Sequence, residues 1–594
     1  MFVKETKVKR AGREYVYLQL VDGYRDERGK VKHRVVANLG RKDALKDSGQ
    51  LEALAGSFAR LDPPMAGTRR SVGPLLLIEH FLRELEVKDT VDAGLPRSAR
   101  SILSVGEVVC ALIASRLCSP SPLYDVAGWA SGAAVHELLG IPPALLNDDR
   151  LGRALETFAV YAESLRSTVA ARAIERFGVD AGRLHVDLST VGVSGAYEES
   201  ALIAKGWASD RRVARQVRTL QACTPDGTVL YSRPDPGNAA ELTLVGASLE
   251  RLLAISGPGL LIVCDSAMGQ PKTMREIDQA GVRFVVPLRA SAGFRERFLT
   301  DAGHDALHPV RYVPEREAKL PPKLRTKFTG ALRDWEIPGD DTHKPLALRV
   351  AYIHSSEEAT QVAEARERAL IKAEDALERM RNGLGGRYYK TREQVQRRIG
   401  QILGVNITGL IDVTVSASHA GKLNLTWQRN QEQINTVASF DGIYALATNL
   451  PGKITAGQVL RLYKDQQIVE RRHRDMKQTL KVRPIFLHND DRVSALLSIV
   501  GISLLIFGLI EAQTRAALGT DQQLPGLLPE GRAAKPTGRN ILAAFQGLSL
   551  TYTHTGIQLD PLTNTQQHIL QLLQIQPPWP QQATPALTNR GKWG

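Results

Sequence analysis

The chain has 594 residues, 43% of them hydrophobic and 24% charged, which is typical of a soluble globular protein with several domains. Its 77 Lys and Arg outnumber 63 Asp and Glu, and the net charge of +14 favours a polyanionic partner such as nucleic acid, although an acidic membrane surface would also fit. The four cysteines form no CxxC pair, which indicates neither a zinc module nor a disulfide framework and fits a reducing cytosol, and the charged residues 1–10 lead into no apolar segment, which excludes an ordinary secretory signal.

The first predicted element is a small β unit over residues 1–62. Apolar and polar residues alternate from Tyr15 to Val21, a turn falls at Asp26 to Gly29, and a second strand returns from Val31 to Leu39. Basic side chains far outnumber acidic ones here. This fits either a sheet that contacts DNA phosphates or a solvated sheet face.

After Pro63 and Pro64 the periodicity becomes helical, which predicts a helical domain over residues 63–180. Its apolar stretches are Leu75 to Leu85, Ile102 to Leu117 and Leu151 to Phe177. Such helices could enter a DNA groove, form a dimer surface or only pack together, and their spacing does not decide between these roles.

From Arg183 the pattern changes to strands, and the order strand, strand, strand, helix, strand, helix, strand predicts the first half of an α/β domain over residues 181–292. The predicted elements are Leu184 to Leu188, Val217 to Cys223, Thr228 to Ser232, Ala240 to Ala254, Leu260 to Cys264, Pro271 to Ala280 and Val282 to Leu288.

The second half of this domain is predicted over residues 439–515, after an inserted, β-rich domain over residues 293–438. It resumes with a turn and a strand from Phe440 to Leu446 and continues in one long helix from Ile454 to Leu480. A helical and irregular region, rich in Pro and Gln, follows over residues 516–594. The predicted elements of the insertion are strands at Leu346 to Ile353, Gly409 to Ala417 and Lys422 to Trp427 and helices at Glu357 to Leu384 and Thr391 to Leu403.

One uncharged segment, Val493 to Ile510, approaches the length that can cross a bilayer. A membrane helix is therefore one interpretation. The other is a core helix of a large soluble protein, because Ser498, Gly501 and Gly508 interrupt the apolar run and buried helices are also apolar on all sides.

Two aspartates follow apolar strands in equivalent places. We expect Asp187 and Asp265 each to end a strand, since small or hydroxyl residues follow both. Each could simply cap its loop. If the two converge with a third acid, however, their charges require a cation, and oxygen ligands favour Mg²⁺ or Mn²⁺.

The third acid is suggested by Tyr463, Glu470 and Lys477, which are spaced by seven residues. Seven residues are nearly two helical turns, so these side chains would share one face of a helix. A solvated glutamate paired with Arg474 is the alternative.

In these features the chain resembles the DDE transposases of bacterial insertion sequences, in the branch with a β-rich insertion before the last acid. That family's signature is Tyr, two residues, Arg, three residues, Glu, six residues and Lys, and only Gln466 departs from it here. Ser266 and Ala267 also stand where similar proteins often have Arg and Gly. The first departure puts one DNA contact in doubt and leaves the acids intact.

The resemblance implies a ribonuclease-H-like, retroviral-integrase-like α/β fold with a mixed sheet and a β-rich insertion, preceded by the small β unit and the helical domain. It implies two divalent ions, Mg²⁺ or in its place Mn²⁺, held by the catalytic acids Asp187, Asp265 and Glu470. It implies DNA contacts from Tyr463, Lys477, Arg471 and Arg474. We interpret His473 as a surface residue, and Trp335 and Trp427 as anchors of the insertion's core rather than holders of a flipped base.

The expected function is that of a DDE transposase that binds the terminal inverted repeats of its insertion sequence, cleaves the DNA and joins the 3′-hydroxyl ends to target DNA. A related metal-dependent nuclease, or an inactive DNA-binding protein of the same fold, is the alternative. The expected partner is double-stranded DNA, bound by a homodimer without a membrane, and the expected place is the bacterial cytosol at the nucleoid.

Overall fold

The computed structural model describes residues 2–10, 13–25, 31–48, 50, 66–95, 102–195, 197–207, 213–288, 293–339, 344–417, 422–482, 485, 487, 489–519 and 522–581. The chain forms two compact units: the first unit contains residues 1–257 and 467–594, and the second unit contains residues 258–466. The chain therefore leaves the first unit after residue 257 and returns to it at residue 467.

The first unit begins with a three-stranded antiparallel meander, as the alternating sequence predicts. Its elements are β1 (Phe2–Arg10), β2 (Arg13–Arg25), β3 (Val31–Arg41) and the short helix α1 (Lys42–Asp47). Leu18 and Val21 of β2 are buried, whereas Val35 and Val36 of β3 are exposed. The predicted strands are confirmed, and the predicted turn at Asp26 to Gly29 lies outside the described residues.

A helical region follows, as predicted. Its elements are β4 (Arg69–Ser71), α2 (Leu75–Glu84), α3 (Val87–Ala93), α4 (Val105–Cys118), α5 (Val126–Gly132), α6 (Val135–Leu139), α7 (Asp148–Ala159) and α8 (Ala162–Phe177). Helix α4 begins at a capping box in which Ser104 and Glu107 each bond the other's backbone amide. The apolar stretch predicted from Leu151 to Phe177 forms two helices, because Tyr161 leaves the helical conformation (φ −112°, ψ 3°) between them.

The next part of the first unit is a small antiparallel sheet with one helix. Its elements are β5 (Arg183–Gly192), β6 (Ala204–Trp207), β7 (Val213–Cys223), β8 (Val229–Pro236) and α9 (Glu241–Ser256). Strand β7 pairs with β5 along one edge and with β6 and then β8 along the other. The predicted order is confirmed, with β6 as an additional strand.

The second unit is a mixed sheet covered by helices. Its elements are β9 (Leu261–Val263), α10 (Pro271–Gln279), β10 (Arg283–Pro287), α11 (Phe294–Asp301), β11 (His308–Val310), β12 (Phe328–Ile337), β13 (Leu346–Ser355), α12 (Ser356–Asn382), α13 (Arg392–Ile407), β14 (Ile411–Ala417), β15 (Leu423–Arg429), α14 (Gln431–Ala438), β16 (Ile443–Thr448) and α15 (Ala456–Lys464). The strand order within this unit is β11, β12, β13, β16, β10, β9, with β9 and β10 parallel and the other neighbours antiparallel. Val285, Ala351 and Leu446 of the sheet pack with Val459 and Leu460 of α15.

The predicted insertion contributes to two parts of the second unit. Strand β12, which was not predicted, and β13 pair along their full length and join the sheet through β16. Helices α12 and α13 instead pack with β14 and β15 around a separate core that includes Leu377, Val395 and Leu425. The domain limits predicted from the sequence remain predictions.

The chain then returns to the first unit. Its last elements are α16 (Gln467–Arg474), a π-helical segment (Asp475–Thr479), α17 (Asp490–Leu518), α18 (Gly538–Ala544), β17 (Ser549–Thr553), β18 (Gly556–Leu559) and α19 (Asn564–Leu572). The continuous helix predicted from Ile454 to Leu480 is wrong, because α15 ends at Lys464 and α16 begins at Gln467. Strand β17 pairs with β18 and with β4 near the other end of the chain.

Helix α17 contains the apolar segment whose length and composition would allow it to cross a membrane. Within the protein, 94% of its most apolar 18-residue stretch is buried, against α4, α7, α8 and β8. A side chain at Gly508 would bring its Cβ within 2.7 Å of the carbonyl oxygen of Gly227, in the turn between β7 and β8. The glycines that interrupt the apolar run therefore let the helix approach the sheet closely, and the core-helix interpretation accounts for the segment.

The four cysteines are unpaired, and three of them are buried. Burial raises the pKa of the Cys110 and Cys223 thiols to about 12. Because the thiolate is the reactive form, we expect a thiol-specific reagent at pH 8 to leave both residues unlabelled in the native protein and to label them after denaturation. Peptide mass mapping checks this, and equal labelling in the two states would contradict it.

Candidate active site

The first predicted acid, Asp187, lies on β5 of the first unit. The prediction that it ends its strand is wrong, since β5 continues to Gly192, and Asp187 is paired with Gln221 of β7. Its neighbours Leu184 and Val186 are buried, whereas the Asp187 side chain keeps 20% of its surface exposed. The backbone amide of Leu188 donates to its Oδ1 at 2.8 Å. A rigid, paired strand therefore presents a carboxylate at the edge of the core.

The second predicted acid, Asp265, lies in the second unit. It follows the buried strand β9, as predicted, and its carbonyl oxygen accepts from the amide of Met268 at 3.2 Å, which closes a short 3₁₀ turn. The Asp265 side chain is partly buried. The turn keeps the carboxylate at the carboxyl end of the strand.

The third predicted acid, Glu470, lies on α16, which packs against β5 and β7 of the first unit. Val469, Arg472 and His473 on this helix are buried, while Glu470 is exposed. The Nδ1 atom of His473 stands 3.4 Å from Oδ2 of Asp187. Because residues three apart are neighbours on a helix surface, Glu470 lies one turn from this contact.

The interpretation of His473 as a surface residue is wrong, because its side chain is only 10% exposed. Among the described residues its buried Nε2 has no hydrogen-bond partner, and its Nδ1 faces the carboxylate. The spacing of His473 three residues after Glu470 could have indicated a shared helix face. The arginines on both sides of His473, however, are typical of a solvated helix surface, and they favoured the wrong interpretation.

A buried charge network holds α16 in place. Arg472, with no exposed surface, donates from Nε to the carbonyl oxygen of Gly227 at 2.6 Å and from Nη1 to Asp475 at 3.0 Å and Glu511 at 3.1 Å. Glu511 on α17 also pairs with Arg515 at 2.8 Å and accepts from the amide of Gly538 at 3.0 Å. These bonds join α16 to the turn between β7 and β8 and to α17, so the network fixes the helix that carries Glu470.

The network also shifts the acidities of its members. Burial acts to raise the pKa of Glu511, but the charges of Arg472, Arg515 and Arg471 and the amide of Gly538 together lower that pKa below its ordinary value. Burial raises the pKa of Asp475. The ionised form of Glu511 is thus the one that the fold stabilises.

The predicted DNA-contacting residues do not share one helix face, because the helix is interrupted. Tyr463 is half-buried in α15 of the second unit, with its ring centroid 6.4 Å from that of Tyr444. Lys477 is half-buried in the π-helical segment of the first unit, and Arg474 is exposed. Arg471 turns partly inward, with Nη2 3.4 Å from Oε1 of Glu511. Arg474 is therefore the most accessible of these four side chains.

The two tryptophans of the predicted insertion are used in packing. The guanidinium of Arg297 lies 4.3 Å from the ring centroid of Trp335. Trp427 packs against the core of α12, α13, β14 and β15, with the guanidinium of Arg381 5.1 Å from its ring centroid. Both contacts support the interpretation of these residues as core anchors.

The donor chemistry of the acids suits a hard divalent cation. Across the part of the chain that the structure describes, no Lys or Arg forms an ion pair with Asp187 or Glu470, and nowhere do three His, Cys, Asp or Glu side chains gather closely enough to hold a metal. Carboxylate oxygens are the ligands that Mg²⁺ and Mn²⁺ prefer. Asp187 and Glu470 thus offer carboxylate oxygens that no Lys or Arg of the described residues neutralises.

Comparison with known proteins gives three family matches. The model "Transposase DDE domain" matches residues 185–506, "IS1634 family transposase, N-terminal domain" matches residues 3–64, and "Domain of unknown function (DUF4277)" matches residues 68–170. No curated protein gives a significant match.

Among solved structures, the "Mos1 transposase paired-end complex with left transposon end" is similar over 32% of this chain and 60% of its own length, with 9% identity and a TM-score of 0.13. A likeness this weak carries no structural argument. The transposase DDE match, in contrast, covers more than half of the chain and includes all three predicted acids. The chain belongs to the DDE transposase family.

Proposed function

We propose that this transposase binds the terminal inverted repeats of its insertion sequence, cleaves the DNA at their ends and joins the freed 3′-hydroxyls to target DNA. The observation that carries the proposal is the contact between His473 and Asp187, which brings the helix of Glu470 against the strand of Asp187. Family membership and the chain's basic character support the same conclusion.

Asp187, Asp265 and Glu470 would hold the divalent ions, Mg²⁺ or Mn²⁺. Bound there, two such ions supply a stronger oxygen nucleophile and stabilise the charge on the leaving oxygen of the phosphodiester. Asp187 contributes an oxygen from a paired strand, so its position is set before any ligand arrives. Glu470 contributes from a helix that the Arg472 network fixes.

The basic residues next to Glu470 would bind the DNA backbone. Arg474 is exposed, and we propose that Lys477 and Tyr463 add a charge and a hydroxyl donor for phosphate oxygens. The guanidinium of Arg471 is partly exposed and pairs with Glu511, so we expect Arg471 to contribute less to DNA affinity than Arg474 does. We further propose that the protein acts as a homodimer on DNA in the bacterial cytosol.

The test uses purified full-length protein, Mg²⁺ and a duplex that ends in the inverted repeat flanking the gene. We expect cleavage at the 3′ end of the repeat, its loss on chelation and its recovery with Mn²⁺. A cut at unrelated sequences with equal rate would instead indicate a nuclease. Binding without any cut would indicate an inactive DNA-binding protein.

His473 is expected to act as a positioning residue for Asp187. Its ring contacts the carboxylate and is held in the core, so replacing His473 with Ala removes the support of one metal ligand. We expect cleavage to fall about 10–100-fold and the Mg²⁺ concentration at half-maximal rate to rise. His473→Gln, which keeps a donor, should restore part of the rate. Unchanged magnesium dependence in His473→Ala would contradict the positioning role.

A further inference from the structure

The pair of strands β6 and β7 carries an unusual exposed aromatic residue. Trp207, the last residue of β6, is 64% exposed, and Val213, the first residue of β7, is exposed to the same extent. These two residues are partners in the register of the strands. Exposed single apolar residues are common, but a tryptophan beside a valine on a paired strand is typical of a contact surface.

The same face of the two strands carries a pair of basic residues next to Trp207 and Val213. Lys205 shares the face with Trp207 because side chains two residues apart on a strand point the same way. Lys205 is exposed, with no acidic partner in the part of the chain that is described, and its register partner Arg215 donates to the carbonyl oxygen of Tyr197 at 2.8 Å. These four residues, Lys205, Trp207, Val213 and Arg215, form what we call the ribbon face.

The opposite face is fastened to the first unit by a close backbone contact. Gln216 is fully buried, and its Nε2 donates to the carbonyl oxygen of Gly237 at 2.9 Å. A Cβ on Gly206 would lie 2.4 Å from that same oxygen, so only glycine fits there. The amide of Gly237 in turn donates to the carbonyl oxygen of Leu202 at 3.0 Å. The ribbon face is thus presented on strands that this contact holds in position.

We infer that the ribbon face binds double-stranded DNA of the transposon end, with Lys205 on a phosphate and Trp207 against the sugars and bases of a groove. The inference rests on the proposed function. A polyanion is the favoured occupant because the face carries two cations and no acid, and because the whole chain carries a net charge of +14. Tryptophan supplies a flat apolar surface that sugars and bases can contact.

The strand register also gives the distance from the proposed chemistry. Asp187 is level with Gln221 on β7, and Trp207 is level with Val213 on the same strand. The eight steps along β7 from Val213 to Gln221 span roughly 26 Å at about 3.3 Å per residue. A duplex that runs along β7, with a rise of about 3.4 Å per base pair, would meet Trp207 about eight base pairs from the cleaved bond.

The first test compares Trp207→Ala with wild type in affinity for the inverted-repeat duplex. We expect affinity to fall about tenfold and Trp207→Phe to keep most of it. Tyr124→Ala, at a side chain that is also exposed but lies outside the ribbon face, is the matched control and should bind as wild type does. Equal affinity in wild type and Trp207→Ala would overturn the inference.

The second test places a photo-crosslinking amino acid at position 207. We expect crosslinks to nucleotides centred about eight base pairs from the cleaved end. Crosslinks only to a second copy of the chain would overturn the inference, since the face would then be a protein interface. If wild type binds and cleaves the repeat and Trp207→Ala binds it with equal affinity, only the inference about the ribbon face is overturned. A wild type that does not bind the repeat overturns the proposed function as well.

Discussion

Replacing Asp187 with Asn is expected to reduce strand cleavage about a thousandfold or more, while affinity for the inverted-repeat duplex stays within about twofold. The substitution keeps the size of the side chain and its place on β5 but removes a negative charge and a metal-binding oxygen. The affinity is preserved because positive side chains, and not this carboxylate, attract the phosphates. Cleavage of a labelled duplex under single-turnover conditions measures the effect.

The same assay separates the three acids from ordinary surface carboxylates. Asp265→Asn and Glu470→Gln should fail as Asp187→Asn does, and pairs of these substitutions should be no worse than each alone, since the acids act as one site. Glu175→Gln, at an exposed acid of α8 in the first unit, is the matched control and should cut normally. A variant of any of the three acids that cuts at the wild-type rate would remove that residue from the site.

Replacing Glu511 with Gln is expected to lower the free energy of unfolding of the first unit by about 3–5 kcal/mol. The side chains of Glu511 and Arg472 are both within 1% of full burial, so the change leaves the Arg472 charge in the core with only Asp475 as its acidic partner. Urea denaturation followed by circular dichroism measures the loss as an earlier transition, with the two units analysed as separate transitions.

An exposed ion pair on the same helix gives the control for this prediction. Arg492 of α17 pairs with Glu156 of α7 at 2.9 Å, and both side chains keep about a third of their surface exposed. Glu156→Gln is therefore expected to cost no more than about 1 kcal/mol. Joint replacement of Arg472 and Glu511 by Met and Leu should recover much of the stability that Glu511→Gln loses, because the fully buried Arg472 charge is then removed as well. Equal effects of Glu511→Gln and Glu156→Gln would contradict the buried-network account.

Most elements of the fold could be predicted from local periodicity. The strands and helices from Arg183 to Pro287 follow the predicted order, because their apolar runs are short, bounded by turn residues and buried as the pattern requires. The predicted α/β class, with a mixed sheet after a β unit and helices, is confirmed by the structure, and the family match agrees with the predicted transposase domain. The acids could be singled out only in combination with the seven-residue signature.

The features that escaped prediction depend on distant partners. Strand β12 contains Gly330, Arg333 and Asp334, which weaken a local strand signal, and pairing with β13 stabilises it. Strand β4 is recognisable only through its pairing with β17 near the other end of the chain. The interruption of the helix between Lys464 and Gln467 could not be predicted from helix propensities, because the residues around it are good helix formers. Burial of His473 likewise depends on β5 lying against its helix.

The order in which the chain is synthesised bears on helix α17. Its burial partners α4, α7, α8 and β8 precede it in the sequence, so they have already left the ribosome when this apolar helix emerges, whereas α18 and α19 pack against it later. Much of the surface that buries its side chains is thus available from the start. A chain that began after β8 would lack those partners. Its α17 would then be an exposed segment apolar enough to insert into a bilayer or to aggregate.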